Sequence, residues 1–122
     1  MARKNVVKQS YLVKNQSLGT SFSSEPFETT FADNIDIFTN WSGSGVTGDL
    51  KVQVTNDDVY NQNITPIWND LNISPPISMN TDTGEDVISI RNVPGIFLRI
   101  QYNRTAGTGT FSASVTVRQL GG

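Results

Sequence analysis

The sequence predicts an all-β fold: an antiparallel, jelly-roll-like β-sandwich over residues 18–122, preceded by an extended basic N-terminal arm over residues 1–17. Three observations lead there. Apolar and polar residues alternate with a period of two in several runs, which places one set of side chains on each face of a sheet. Turn residues recur at intervals of roughly a dozen residues, the spacing of sandwiches and barrels rather than α/β folds. No segment sustains the 3.6-residue period of an amphipathic helix.

Taken in chain order, Met1 to Ser17 is polar, with Val6, Val7, Tyr11, Leu12 and Val13 scattered through it and one short strand expected near Ser10 to Val13. Leu18 to Phe22 opens the body, and Ser23, Ser24, Glu25 and Pro26 interrupt it. Phe27, Thr29 and Phe31 alternate with Glu28 and Thr30, a further strand that stops at the turn pair Asp33-Asn34. Ile35, Ile37, Thr39 and Trp41 alternate with Asp36, Phe38 and Asn40. The segment Ser42-Gly43-Ser44-Gly45 to Gly48 follows, then Leu50, Val52 and Val54 alternate with Lys51, Gln53 and Thr55. Two alternating runs joined by a glycine-rich stretch predict a hairpin.

Asn56 to Asn63 is a polar loop, and a short strand is expected between Ile64 and Leu71, starting near Pro66, where a missing donor is tolerated. Pro75-Pro76 marks an extended crossing and Met79 to Asp86 a second polar loop. Val87, Ile88 and Ile90 form a strand that Pro94-Gly95 ends. Ile96, Leu98, Ile100 and Tyr102 then alternate with Phe97, Arg99, Gln101 and Asn103. Phe111, Ala113, Val115 and Val117 alternate with Ser112, Ser114, Thr116 and Arg118. The Gly107-Thr108-Gly109 segment between them predicts the tip of a second hairpin. The expected core is Phe31, Ile35, Ile37, Trp41, Leu50, Val52, Val54, Trp68, Leu71, Ile88, Ile90, Leu98, Ile100, Tyr102, Phe111, Ala113, Val115 and Val117.

With 122 residues the chain suits one domain with a real core. It contains no cysteine and no histidine, so burial must hold it together. Disulfides, Cys/His zinc sites, thiolate chemistry and His general-base catalysis are excluded. Charged residues are 16% of the chain, and short hydroxyl and amide side chains are abundant, a composition shared by many extracellular and virion β-proteins. No apolar run is long enough to cross a bilayer, and Met1 to Asn15 holds no apolar stretch of signal-peptide length. Arg3, Lys4, Lys8 and Lys14 fall in residues 1–24, which contain no acid, whereas the remainder is acidic. A basic arm on an acidic body favours an acidic partner for the arm.

The candidate partner-binding residues are therefore Arg3, Lys4, Val6, Val7, Lys8, Tyr11, Leu12 and Lys14. The cations would grip an acidic subunit surface while the apolar residues dock, and an arm strand could add to a neighbour's sheet edge; the bland alternative is a strand packed on its own body. Four cations and one stacking residue are a poor footprint for nucleic acid. Asp57 and Asp58 with Asn56 and Asn61, and Asp82, Glu85 and Asp86, could offer oxygens to calcium, but neither loop has EF-hand spacing, so no metal or other cofactor is expected. Trp41, Trp68 and Tyr60, with Asn69 and Asp70 beside Trp68, raise carbohydrate binding, although the apolar neighbours of both tryptophans favour core positions. The Thr110, Ser112, Ser114 and Thr116 row should line the outer face of the last strand, a flat small-residue surface suited to subunit contact. No nucleophile has an evident base and no pair of carboxylates is marked by its spacing, so the protein is expected not to be an enzyme.

Several phrases stand in order along residues 18–120: Asp33-Asn34-Ile35-Asp36-Ile37 with Trp41-Ser42-Gly43, Gly48-Asp49-Leu50-Lys51-Val52-Gln53-Val54-Thr55-Asn56-Asp57, Trp68-Asn69-Asp70-Leu71, Phe97-Leu98-Arg99-Ile100-Gln101-Tyr102 and Gly107-Thr108-Gly109-Thr110. On these the body resembles small virion-associated β-sandwich structural proteins of tailed bacteriophages. The resemblance implies a virion component, a capsid decoration or cement protein bound to other virion proteins (capsid or tail subunits). Repeated small proteins of this sort assemble as closed homo-oligomers such as trimers. The alternative is a tail or fibre carbohydrate-binding module for host attachment. The arm of residues 1–17 lies outside the resemblance.

Overall fold

The computed structural model describes residues 5–30, 32–71 and 77–120. They form strands β1 (Asn5–Ser17), β2 (Phe22–Ser23), β3 (Phe27–Glu28), β4 (Asn34–Thr55), β5 (Asn69–Asp70), β6 (Ile77–Met79), β7 (Thr83–Arg91) and β8 (Phe97–Leu120), with no helix among the described residues. All are joined by antiparallel pairing into one eight-stranded sheet. The all-β, antiparallel expectation therefore holds. Phe31 and the Pro75-Pro76 crossing lie outside the described residues.

The two expected hairpins are not hairpins. Residues 34–55 are a single strand of 22 residues and residues 97–120 a single strand of 24. They pair with each other along almost their whole length, Ile37 opposite Val115 at one end and Val52 opposite Ile100 at the other. Alternation specifies which face a side chain takes, not which strand it pairs with, so an apolar/polar ribbon fits either partner equally well. The glycine segments that read as hairpin tips lie opposite one another instead. Gly43 faces Gly109 and Ser44 faces Thr108, and the register of the pair slips between Ser44 and Gly48. A side chain on Gly107 would run into the backbone of Gly45 and Val46, and one on Gly109 into the backbone of Ser42 and Gly43. These glycines are needed for close backbone approach at a shared kink.

The slip has a second consequence. In β4 the buried positions are odd-numbered from Ile35 to Trp41 and even-numbered from Val46 to Val52. In β8 they are even-numbered from Leu98 to Tyr102 and odd-numbered from Phe111 to Val115. An irregularity in each strand changes the parity, so each strand offers its apolar side to the core on both sides of the kink. Each half of the long pair then gathers its own neighbours. The Asn34–Ser44 half of β4 lies between β7 and the C-terminal half of β8, which carries β1 on its far side. The Thr47–Thr55 half lies between the short strands β5 and β6 and the N-terminal half of β8, which carries β2 and β3. The orders are thus β1-β8-β4-β7 in the first half and β2/β3-β8-β4-β5/β6 in the second, an arrangement compatible with a jelly-roll sandwich.

Both halves feed one apolar cluster. Ile35, Ile37, Trp41, Ile88, Phe111 and Val115 come from the first half, Leu50, Val52, Met79, Leu98, Ile100 and Tyr102 from the second. Phe22 links them, its ring centroid 5.6 Å from that of Tyr102 and 5.9 Å from that of Phe111. Each such side chain contributes roughly 1.5–3 kcal/mol on burial, before the entropy of ordering it is subtracted. Leu12, Leu18, Val46, Met79 and Phe97 are buried although the alternating runs did not single them out as core. Val54, Leu71 and Val117 sit only at the margin of the cluster, and the expected strand over Ile64–Leu71 shrinks to β5. Trp41 belongs to the core, its indole lying over Gly84, where any side chain would collide with the ring, and its Nε1 donating to the Thr81 carbonyl at 2.9 Å.

The kink makes a graded prediction for thermal unfolding. Gly45 has φ +65° but open space around it, with its nearest neighbour 4.0 Å from an added Cβ. Gly45→Ala should cost about 1 kcal/mol, the strain of a left-handed alanine. Gly107, at φ +90° and hard against backbone, should cost more than about 2 kcal/mol on the same change. Equal melting temperatures for the two variants would contradict the close approach.

Candidate functional site

The outer faces of the two halves differ. In the second half the loop between β4 and β5 folds back over the sheet. Asp57 holds it in place, its Oδ2 accepting from the Ile67 N–H at 2.7 Å and from the Thr55 hydroxyl at 3.4 Å. Tyr60 packs edge-on against Phe97, centroids 5.4 Å apart, and Trp68 lies under the Arg99 guanidinium, 4.4 Å from ring centroid to Cζ. Arg99 Nε donates to Gln53 Oε1 at 2.8 Å, Gln53 Nε2 donates to Asp70 Oδ1 at 2.8 Å, and Lys51 Nζ donates to Asp70 Oδ2 at 3.3 Å. Gln53 is buried by this chain of contacts. The hydrogen bond from Gln53, then that from Lys51, hold the Asp70 carboxyl below its ordinary value, and desolvation lowers the Arg99 pKa. These polar groups are satisfied by one another and cover this side of the sheet.

The outer face of β1-β8-β4-β7 has no such cover among the described residues. Pairing registers Tyr11 with Ser114, Ser114 with Phe38, and Phe38 with Val87, so these four side chains form one row across four strands. Tyr11, Phe38 and Val87 are 55%, 44% and 56% exposed; Phe38 and Val87 are adjacent and Tyr11 lies across the small Ser114, exposed apolar side chains of the sort that mark interaction surfaces. A shallow groove runs beside Phe38 and Val87, also lined by Asn40, Glu85 and Asp86. Lys14 reaches back so that its Nζ sits 5.1 Å from the Tyr11 ring centroid. One row away, Asp36 is opposite Thr116 and Ser89. Its Oδ1 is buried without a hydrogen bond, with Arg91 Nη1 at 3.7 Å as an ion-pair contact.

The candidate binding residues divide on this map. Arg3 and Lys4 lie outside the described residues. Val6, Val7 and Lys8 are in β1, whose backbone pairs with β8 from Asn5 onward, so the segment expected as an extended arm with a short strand is a long strand on the protein's own sheet. Leu12 enters the core and has no side chain to offer a partner. Tyr11 and Lys14 are on the open face. The Thr110–Thr116 row runs through the same face, with Ser114 at its centre and the Ser112 hydroxyl accepting from the Asn15 N–H at 3.0 Å. Sequence reasoning placed Phe38 on the polar side of its strand but attached no role to it. The signal was present, a phenylalanine in a run otherwise filled by Asp36 and Asn40, but its row-mates Tyr11 and Val87 come from distant strands.

The acidic loops serve the backbone. Asp58 Oδ1 accepts from the Tyr60 N–H at 3.0 Å and Asp82 Oδ1 from the Gly45 N–H at 2.7 Å. No group of three or more acidic side chains is gathered for a metal ion among the described residues. Desolvation raises the pKa of the Tyr102 hydroxyl, which donates to the Thr47 carbonyl at 3.3 Å, beside the kink.

No protein-family model matches the chain, and no curated protein matches it. Solved structures share its fold. The SPBc2 prophage-derived protein YomS superposes with a TM-score of 0.55 at 11% identity, over 98% of this chain and 98% of that one. A chain in the structure of infectious bursal disease virus, Gx strain, superposes with a TM-score of 0.55 at 12% identity over 98% of this chain. This chain spans only 33% of that one. These are likenesses of fold.

The Asp70 cluster can be checked by titration. In NMR-detected titration the Asp70 carboxyl should have its midpoint below the ordinary 3.8, and Gln53→Ala should move it up. Because the folded value is the lower one, the stability this carboxylate contributes is complete above 3.8 and is lost as pH falls through the folded midpoint. A midpoint unmoved by Gln53→Ala would contradict the assigned cause.

Proposed function

We propose that the protein is a structural component of a tailed-bacteriophage virion, a capsid decoration or cement protein that binds neighbouring virion subunits through the open face of the β1-β8-β4-β7 layer. The observation that carries this reading is the Tyr11–Ser114–Phe38–Val87 row: apolar side chains from three strands, held in register by the sheet and left in water by the isolated chain. Covering them releases hydration water, and surrounding short polar residues can complete hydrogen bonds at the rim. The fold likeness to a prophage-derived protein and to part of a viral structure supports the assignment to a particle. So does the resemblance carried by residues 18–120.

The mechanism is stabilisation by binding. A protein that attaches only to the assembled form shifts the equilibrium toward assembly, and many copies multiply the effect. No catalytic step is required of it. Lys14, beside Tyr11 on the open face, would steer this acidic protein toward negatively charged surfaces and lie within the contact. Among the described residues no helix is long and apolar enough to cross a membrane, and the proposed location is the virion.

The rival reading, a host-glycan module in a tail or fibre, has less beneath it. Trp41 is a core residue, and one face of the Trp68 ring is taken by Arg99. Sugar stacking needs a free aromatic face.

The test uses purified particles of the encoding phage. The tagged protein should band with intact virions and be located on them by immunogold microscopy. A Tyr11→Asp/Phe38→Asp variant should melt within a few degrees of the native protein, both sites being exposed. Its occupancy should fall by about tenfold or more, as expected when central aromatic anchors are lost. Absence of the native protein from virions, or full occupancy by the variant, would overturn the proposal.

A further inference from the structure

The geometry points to a second copy of this chain as the occupant of the open face: two protomers packed face to face about a two-fold axis that runs along the strands, between β8 and β4. This rests on reading that face as the attachment surface and names a second copy of the chain as the neighbouring virion subunit that covers it.

The argument begins with the order of strands. An axis along the strands, set between β8 and β4 in the order β1-β8-β4-β7, lays β1 over β7 of the second copy and β8 over β4 of the second copy. It leaves every residue at its own height along the strand. The apolar row therefore meets itself reversed. Phe38 comes over Ser114 of the second copy, and Tyr11 over Val87 of the second copy. Each contact sets a large side chain over a smaller one and occurs twice, as an isologous interface requires. A two-fold axis at right angles to the strands would stack Phe38 on Phe38 and leave Ser114 facing Ser114, a clash beside a gap.

Charge agrees with the same axis. Lys14 lies on the Tyr11 ring, on the Ser17 side of the row. Glu85 lines the groove beside Phe38 and Val87, on the Thr83 side of the row, and pairing puts Ser17 and Thr83 at the same end through Thr110 and Ser42. Seating Tyr11 in the groove of the second copy brings Lys14 over Glu85 of that copy, so the knob is basic and the hole acidic.

The free sheet edges are guarded by comparison. β1 carries Lys14 and two register irregularities, and β7 carries Glu85 and Asp86. These are the features by which edge strands resist pairing with another chain. The open face carries an uncharged row through its middle.

Sedimentation equilibrium of the full chain over a concentration series tests the inference. The native protein should form dimers. Lys14→Glu and Glu85→Lys should each raise the dimer dissociation constant by about tenfold, through like charges placed across the interface. Lys14→Glu/Glu85→Lys should return it to within about twofold of native, because the pair is restored in reverse. Phe38→Asp should give monomers with an unchanged circular dichroism spectrum. A native protein that stays monomeric up to about 1 mM, or a double variant no better than either single one, would overturn the inference. If the native protein is monomeric yet its incorporation into particles still depends on Phe38, the virion reading stands and this inference alone fails. A charge-rescued dimer that is absent from particles supports this inference and overturns the virion reading alone.

Discussion

Everything in this molecule depends on the pairing of two long strands, β4 and β8, over both sides of a common kink. Each is central in the sheet, flanked by β8 or β4 on one side and by shorter strands on the other. Remove that pairing and the sheet of the described residues falls into two pieces, β8 with β1, β2 and β3, and β4 with β5, β6 and β7. The kink is a steric matter: two backbones approach so closely that only glycine fits at several positions. The parity change at the kink lets each strand present its apolar side to the core twice. A straight strand with either alternation would bury half of its apolar residues and expose the rest.

The difference between the two outer faces follows from what each half can recruit. The second half is flanked by strands of two or three residues and covered by a long loop that Asp57 pins down. Its polar groups close on one another through Gln53, Asp70 and Arg99. The first half is flanked by β1 and β7, strands of 13 and 9 residues with no loop laid across them among the described residues. Its outer side is therefore a broad and regular face, and its apolar row has no partner within the described chain. Architecture, rather than any catalytic group, directs attention to that face.

How much of this was legible beforehand depends on what alternation can carry. The facing of nearly every strand residue was readable: Ile35, Ile37, Val52, Ile100 and Val115 are all buried where a period of two puts them. Partnership was not readable. Gly43, Gly45, Gly107 and Gly109 look like turn residues because tight turns and close backbone contacts both demand the missing side chain. The odd-to-even change between Trp41 and Leu50, mirrored between Tyr102 and Phe111, gave no help, since a two-residue turn sets residue i opposite i+3 and changes parity just as the kink does. Leu12 and Met79 were missed because each stands in a polar stretch and is drawn inward by its pairing. The candidate site was half visible. Tyr11 and Lys14 were singled out for their place in a basic segment, while Phe38 and Val87 join them only through register across four strands.

The most direct measurement of the central claim is the set of backbone NOEs between strands in isotopically labelled protein. The β4–β8 pairing predicts cross-strand contacts linking residues 34–44 to 108–118 and residues 48–55 to 97–104. Backbone contacts joining residues 97–103 directly to 111–117, as two limbs of one hairpin, would contradict it.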